Sequence, residues 1–195
     1  MMLVLASQSA SRAAMLDAAG VAFEAVPAAL DERALEAELV GASAAEVALA
    51  LAGAKARAVA QLRPEGLVLG SDSLIEVNGL RYDKPRSKAE AAEHLRRFSS
   101  QIMHLHSAAV LVHKGAQQWH HASEAVLTVR ALGESFIDEY LAHEWPAVSG
   151  CVGVFRIEGR GVQLFDSIEG DHFTVLGMPL LAVLGALREF GVLPR

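Results

Sequence analysis

The first 27 residues read as a strand, a serine-rich turn, a helix and a second strand, and this order constrains the fold more than any other feature. Leu3 to Ala6 is a short continuous apolar run, which is typical of a buried strand. A helical pattern follows from about Ala10 to Ala19 and stops at Gly20, and Val21 to Pro27 reads as another strand. A strand, a helix and a strand in succession predict an α/β fold.

Later segments extend this pattern to a mixed sheet. Ser43 and Glu46 form a capping box that opens a long helix from Ala44 to Leu62. Leu67 to Gly70 is a buried strand candidate that ends at Ser71-Asp72-Ser73. The other strand candidates are Leu74 to Val77, Met103 to Val112, Gln117 to Val129, Val154 to Ile157 and Val162 to Phe165, and the other helix candidates are Ser87 to Phe98, Glu134 to His143 and Pro179 to Phe190. No internal repeat or linker interrupts residues 1–195, so we predict one α/β domain.

Charge and cysteine content exclude several classes of protein. The chain has 195 residues, a formal net charge of -6 and a single cysteine. An acidic chain lacks the basic face that neutralises nucleic-acid phosphates, so we expect no nucleic-acid partner. One cysteine cannot build a disulfide framework, which suits a reducing compartment. A local basic pocket for a small phosphorylated ligand stays compatible with this charge.

The sequence also argues against a membrane protein. No apolar run reaches the roughly 18 residues that a spanning helix needs. The apolar stretch from Val47 to Ala60 is interrupted by Lys55 and Arg57, and no basic region of the signal-peptide type precedes the first apolar run. We therefore expect a cytoplasmic protein without a membrane partner.

The segment Ser7-Gln8-Ser9-Ala10-Ser11-Arg12 is the first candidate for chemistry, because it lies at a strand-to-helix junction. Backbone N–H groups at a helix N-terminus, together with hydroxyls and an arginine, suit a phosphate group. A serine-rich helix cap with a solvent-facing Arg12 explains the same pattern equally well.

Asp72 is the second candidate, because it comes just past the end of a predicted buried strand. The carboxyl ends of strands in α/β sheets face ligand crevices, where a carboxylate can hold a divalent metal or orient a water molecule. A turn aspartate that bonds its own backbone is the slightly favoured alternative. Glu32, Lys55 and Lys84 are charged residues scattered along the sequence, and pattern alone assigns them no role.

Two further groups stay open at this point. The acids of Ile168-Glu169-Gly170-Asp171 could bind a metal or a ribose, or could form an ordinary turn before a helix. His104 and His106 share one strand face, with His120 and His121 on the predicted partner strand. Cross-strand polar pairs on a half-exposed sheet explain these histidines better than a metal site does.

Taken together, these segments resemble the Maf family of nucleotide pyrophosphatases over nearly the whole chain. Each motif is weak alone, whereas their shared order and spacing are highly specific. The segments that carry the resemblance are Leu3 to Arg12, Leu30-Asp31-Glu32, Lys55-Ala56, Leu69-Gly70-Ser71-Asp72, Asp83-Lys84-Pro85, Gly150-Cys151-Val152-Gly153, Ile168 to Asp171 and Leu176 to Leu180.

The resemblance implies an enzyme that hydrolyses a nucleoside triphosphate to the monophosphate and pyrophosphate with Mg²⁺ or Mn²⁺. It also implies an elongated mixed sheet with flanking helices, two lobes around a central cleft as in inosine triphosphate pyrophosphatases, and in many members a homodimer. By this resemblance, Asp72 matches the catalytic carboxylate of the family, which acts as the proton acceptor. Glu32 and Asp72 are the metal-binding candidates. The substrate-binding candidates are Ser7, Ser9, Arg12, Lys55, Lys84 and Glu158.

The chain departs from the family pattern in places that bear on the substrate. The family pattern begins with Ser-x-Ser-Pro-Arg-Arg, and in this chain Ser11 replaces the first arginine of that pattern. Ser73 replaces the threonine or glutamine that is expected after the catalytic aspartate, Asp72. Cys151 to Phe155 with Glu158-Gly159 resembles the 7-methyl-GTP subgroup, and residues 168–173 resemble more closely the dTTP and UTP subgroup. We favour 7-methyl-GTP. A nucleotide-binding regulator of septum formation with little turnover is the rival interpretation.

Overall fold

The computed structural model describes all of residues 1–195. Its strands are β1 (Leu3–Leu5), β2 (Phe23–Ala25), β3 (Leu67–Val77), β4 (Leu80–Tyr82), β5 (Ile102–His113), β6 (Ala116–Val129) and β7 (Phe165–Glu169). Its α-helices are α1 (Ala10–Ala18), α2 (Glu32–Glu38), α3 (Ala44–Leu62), α4 (Lys88–Phe98), α5 (Glu134–Glu144), α6 (His172–Val175) and α7 (Leu180–Glu189). Two short 3₁₀ helices span Ala147–Gly150 and Arg160–Leu164.

The strands form one mixed sheet, which confirms the predicted α/β class with flanking helices. Their order is β2-β1-β3-β5-β6-β7, and β4 pairs with β3. β1 pairs in parallel with β2 and with β3, whereas the pairs β3–β4 and β6–β7 are antiparallel. Parallel neighbours require crossover connections, and α1 and α3 supply helices between β1, β2 and β3. None of the helices is long and apolar enough to cross a membrane.

The chain forms two compact units. The first comprises residues 1–73, 106–123 and 171–195. Its apolar core gathers side chains from β1, β3, β5, α1 and α7, including Leu5, Leu16, Leu69, Leu111 and Leu187. All three residues of β1 are buried between its two neighbours, whereas β2 forms an edge of the sheet and is only partly buried.

The second unit comprises residues 74–105 and 124–170. Tyr82, His94 and Phe98 pack their rings together in it, with centroids 4.8 to 5.8 Å apart. His94 is buried and its Nδ1 has no hydrogen-bond partner, and burial lowers its pKa. The unit therefore has its own aromatic core.

Gly70 sets how closely α3 packs on β3. A Cβ atom at this position would overlap the carbonyl oxygen of Ala52 and lie 2.8 Å from the backbone nitrogen of Ala56. Only glycine permits such an approach of a helix backbone to a strand. Because Lys55 lies on α3 beside Ala56, and Asp72 lies two residues after Gly70, this contact brings the two charged side chains together.

The structure corrects three sequence predictions. The predicted strand from Val162 to Phe165 is wrong, because Arg160–Leu164 forms a 3₁₀ helix and β7 begins only at Phe165. Asp72 does not follow the end of a strand, because β3 continues without interruption from Leu67 to Val77. The buried carboxylate of Asp72 is compensated by its ion pair with Lys55. The predicted strand at residues 154–157 is also wrong. Val154 has a φ of 56°, which is incompatible with an extended strand, and its carbonyl accepts a hydrogen bond from Tyr140 at 2.8 Å.

Candidate active site

The turn after β1 presents two serine hydroxyls at the start of α1. Ser9 is the N-cap of α1, and its Oγ accepts a hydrogen bond from the backbone N–H of Arg12 at 3.4 Å. The Oγ of Ser7 accepts one from the backbone N–H of Ser9 at 3.1 Å. Both oxygens act as acceptors in these bonds, so neither bond uses the hydroxyl proton. The cap and the candidate phosphate site are therefore the same segment, and the two interpretations of this motif do not exclude each other.

Arg12 is held in one orientation by three hydrogen bonds. Its Nε donates to the carbonyl of Gly177 at 2.9 Å, its Nη2 to Ser73 Oγ at 3.0 Å, and its Nη1 to Ser7 Oγ at 3.4 Å. The Nη1 contact is the longest of the three and so the weakest. Burial lowers the pKa of Arg12, and the carboxylates of Asp72 and Glu32 oppose that shift.

Lys55 and Asp72 form a buried ion pair. The Nζ of Lys55 lies 2.5 Å from Oδ1 of Asp72 and 3.0 Å from Oε2 of Glu32. Lys55 and Asp72 are 9% and 6% exposed, whereas the Glu32 side chain is 46% exposed. Glu32 reaches this pair as the first residue of α2, whose N-cap is Asp31. The second oxygen of Asp72, Oδ2, makes no hydrogen bond and retains access to solvent.

Several residues that hold Arg12 in place were not predicted from the sequence. Besides binding Arg12, Ser73 Oγ lies 2.9 Å from the carbonyl of Gly177 and 3.0 Å from Ser107 Oγ. Ser107 in turn donates to the carbonyl of Thr174 at 2.8 Å. The only sequence signal for these contacts was Ser73, which stands where the family pattern has a larger residue. Its hydroxyl oxygen contacts several neighbouring polar groups.

Ser11 stands where the family pattern has its first arginine. Its uncharged hydroxyl makes a hydrogen bond within the protein. Its Oγ donates to the carbonyl of Leu176 at 2.8 Å. This bond and the Arg12 bond to Gly177 tie the start of α1 to the segment that follows α6. The loss of the first arginine thus removes a positive charge and adds a link that positions Arg12.

The first unit brings together Ser7, Ser9, Arg12, Glu32, Lys55 and Asp72. Lys84 and Glu158 belong to the second unit, where both side chains are exposed. Asp171 caps α6 through the backbone N–H of Thr174 at 3.0 Å, which is the ordinary turn interpretation of residues 168–171.

No three or more His, Cys, Asp or Glu side chains are grouped so that they could hold a metal ion. His104 instead lies 2.6 Å from the carboxylate of Glu124. This contact agrees with the cross-strand polar pair that the sequence favoured over a histidine metal site.

The segment from Cys151 to Glu158 is anchored within the second unit. Tyr140 donates to the carbonyl of Val154, and Arg156 pairs with the buried Glu144 at 2.9 Å. Burial, aided by the negative charge of Glu158, raises the pKa of Cys151. A raised pKa keeps the thiol protonated, so Cys151 is not an activated nucleophile.

These groups define a site suited to phosphate chemistry. A fixed guanidinium, two hydroxyls and the N-terminus of α1 are complementary to phosphate oxygens. A buried carboxylate with one oxygen engaged by an ammonium and the other free can accept a proton. The first unit therefore places groups that suit a phosphate in the same unit as a carboxylate that can accept a proton.

Comparison with known proteins agrees with this chemistry. The family model described as Maf-like protein matches residues 2–190. A 7-methyl-GTP pyrophosphatase of Rhizobium meliloti (strain 1021) is 50% identical over 194 residues, which cover 98% of each chain. A nucleoside triphosphate pyrophosphatase of Sphingopyxis alaskensis is 46% identical over the full length of both chains, and one of Granulibacter bethesdensis is 44% identical over 97% of each.

The chain belongs to the Maf family, as the resemblance of its motifs predicted. The match covers residues of both compact units, so it does not depend on a single motif.

Proposed function

We propose that this protein is a nucleoside triphosphate pyrophosphatase, which converts a nucleoside triphosphate and water to the monophosphate and pyrophosphate. The observation that carries the proposal is the buried Asp72–Lys55 ion pair in the same compact unit as the fixed guanidinium of Arg12. The family membership and the names of the relatives support the same activity.

The triphosphate binds through donors of the first unit. The Ser7 and Ser9 hydroxyls and the N-terminus of α1 donate to phosphate oxygens, and Arg12 adds its Nη1 edge. Such fixed donors stabilise charge that develops on phosphate oxygens, because they need no reorganisation during the reaction. Lys84 and Glu158 of the second unit stay predicted substrate-binding residues.

Asp72 acts as the general base. As a water oxygen forms a bond to the α-phosphorus, its proton moves to Oδ2 of Asp72, and the bond from the α-phosphorus to the α,β-bridging oxygen breaks. Pyrophosphate leaves with that electron pair. Lys55 holds Oδ1 and so orients the carboxylate for this transfer.

The residues present fit a divalent ion that is delivered with the substrate. Mg²⁺ is commonly held by one or two carboxylates together with substrate phosphates and water. Glu32 and Asp72 supply two carboxylates that meet at a single ammonium group. When bound, Mg²⁺ or Mn²⁺ would neutralise phosphate charge.

The cytoplasmic location and the homodimer, which the sequence analysis predicted, remain predictions.

We propose 7-methyl-GTP as the preferred substrate, ahead of dTTP and UTP. The sequence from Cys151 to Phe155 with Glu158 supports this choice, and so does the 50% identity to the Rhizobium meliloti relative. Methylation at N7 makes the guanine ring cationic, and the exposed carboxylate of Glu158 has the charge that complements it.

Pyrophosphate release across a nucleotide panel tests this proposal. The panel contains 7-methyl-GTP, GTP, dTTP, UTP, CTP and ATP, each with Mg²⁺ and then with Mn²⁺. We expect the highest kcat/KM with 7-methyl-GTP, because the subgroup segment is retained. A preference for dTTP or UTP would contradict the choice of base and keep the enzyme class. Binding without release from any nucleotide would favour the regulator.

A further inference from the structure

Lys55 occupies the place between the two carboxylates that are proposed to bind the metal. Its Nζ contacts Asp72 at 2.5 Å and Glu32 at 3.0 Å, and no other hydrogen bond engages it. An ammonium in this position already supplies the positive charge that two neighbouring carboxylates need.

The charges around the site are balanced without a metal. Asp72 and Glu32 contribute two negative charges, and both act electrostatically on Arg12. Lys55 and Arg12 contribute two positive charges. A divalent ion that approaches the carboxylates therefore meets a neutral group of charges with an ammonium at its centre, and repulsion from that ammonium opposes binding.

Lys55 is also held where it is by packing. It lies in the interior of α3, flanked by the segment whose backbone meets Gly70, and only 9% of the residue is exposed. The ammonium therefore stays beside Asp72 in the absence of a ligand, rather than moving freely into solvent.

We infer that Lys55 is a resident cation which keeps the Glu32–Asp72 pair from binding a divalent ion in the free enzyme. Glu32 and Asp72 would then hold a divalent ion only together with the phosphate oxygens of a bound nucleotide, because the protein alone groups no three such ligands. This inference rests on the proposed function, because it concerns the metal of that reaction.

Mn²⁺ binding to the free protein, measured by the EPR signal of unbound Mn²⁺ without any nucleotide, tests this role. We expect weak binding to the wild-type protein and binding at least about tenfold tighter to Lys55→Met, because removal of the ammonium leaves two unneutralised carboxylates. The affinity gain should disappear in Lys55→Met/Asp72→Asn. Lys88→Met, which removes an exposed lysine at the start of α4, is the matched control and should resemble the wild type.

Thermal unfolding with and without Mn²⁺ gives a second readout, since an ion that binds only the folded state raises its Tm. Mn²⁺ should raise the Tm of Lys55→Met and leave that of the wild type nearly unchanged. Lys55→Gln, which keeps N–H donors for both carboxylates, replaces Lys55→Met if the latter does not fold.

Equal Mn²⁺ affinity in the wild type and both Lys55 variants would overturn the inference. Because the assay contains no nucleotide, this result would leave the proposed hydrolysis standing. Conversely, if no nucleotide in the panel released pyrophosphate, the Mn²⁺ binding result would be unaffected.

Discussion

At the scale of single residues, Arg12 and Lys55 are two cations with different surroundings. Lys55 is paired with two carboxylates, whereas the three hydrogen bonds of Arg12 go to a carbonyl and two hydroxyls, none of which is charged. Arg12 therefore has no ion-pair partner in direct contact, although Asp72 and Glu32 act on its charge from a distance, whereas Lys55 contacts both carboxylates. The family resemblance placed both residues in one class of phosphate ligands, and the structure separates them.

Arg12→Lys should lower kcat/KM by about tenfold to a hundredfold, because an ammonium lacks the planar guanidinium fork, whose separate nitrogens contact Gly177 and Ser73 in a fixed orientation. Steady-state kinetics with the preferred nucleotide measure this effect. Arg63→Lys is the matched control, since Arg63 makes a forked contact with Glu24 away from the candidate residues. Equal losses in both variants would show that the Arg12 geometry has no special role.

At the scale of secondary structure, the close contact of α3 with β3 places the ion pair. Gly70 makes the contact possible, and the capping box of Ser43 and Glu46 fixes the start of α3. The register of this one helix on this one strand therefore decides whether Lys55 reaches Asp72.

Gly70→Ala should reduce both stability and activity. The added Cβ overlaps the backbone of Ala52, which forces α3 away from β3 at a cost of about 1–3 kcal/mol or more. Gly185→Ala on α7 is the control, because a Cβ added there would meet no atom within 4 Å and the change should stabilise the helix by about 0.5–1 kcal/mol. Urea unfolding and kcat/KM measure the two effects, and an unchanged Gly70→Ala protein would refute the packing argument.

Local patterns predicted the elements that depend on local chemistry. The capping box predicted α3 from Ala44 to Leu62. Tertiary contacts explain the failures. Asp72 lies within β3 with its carboxylate paired to Lys55 of α3, and Val154 has a positive φ with its carbonyl bound by Tyr140.

The set of residues that forms the candidate site was predicted only through the family resemblance. The positions of Ser7, Arg12, Glu32 and Asp72 in one compact unit could not be derived from spacing, because they come from separate parts of the chain. The hydrogen bonds of Ser73 and Gly177 to Arg12 had no sequence signal beyond an unusual residue after Asp72.

At the scale of the whole molecule, an acidic chain carries a local site for a highly anionic substrate. The net charge is -6, yet the first unit places Arg12 and Lys55 beside serine hydroxyls and a helix N-terminus. Under the proposed function, recognition of a triphosphate depends on local geometry rather than on the overall charge. The family match extends over both units.

The most direct test of the central claim is pyrophosphate release by Asp72→Asn, measured together with nucleotide binding. We predict that turnover falls by at least about a hundredfold and that binding changes only a few fold, because the amide cannot accept the proton of the attacking water. Lys55 keeps its ion pair with Glu32 in this variant, and thermal unfolding checks that the fold is retained. Asp17→Asn, an exposed change on α1, is the control. Turnover in Asp72→Asn equal to that of the wild type would contradict the assignment of Asp72 as the base.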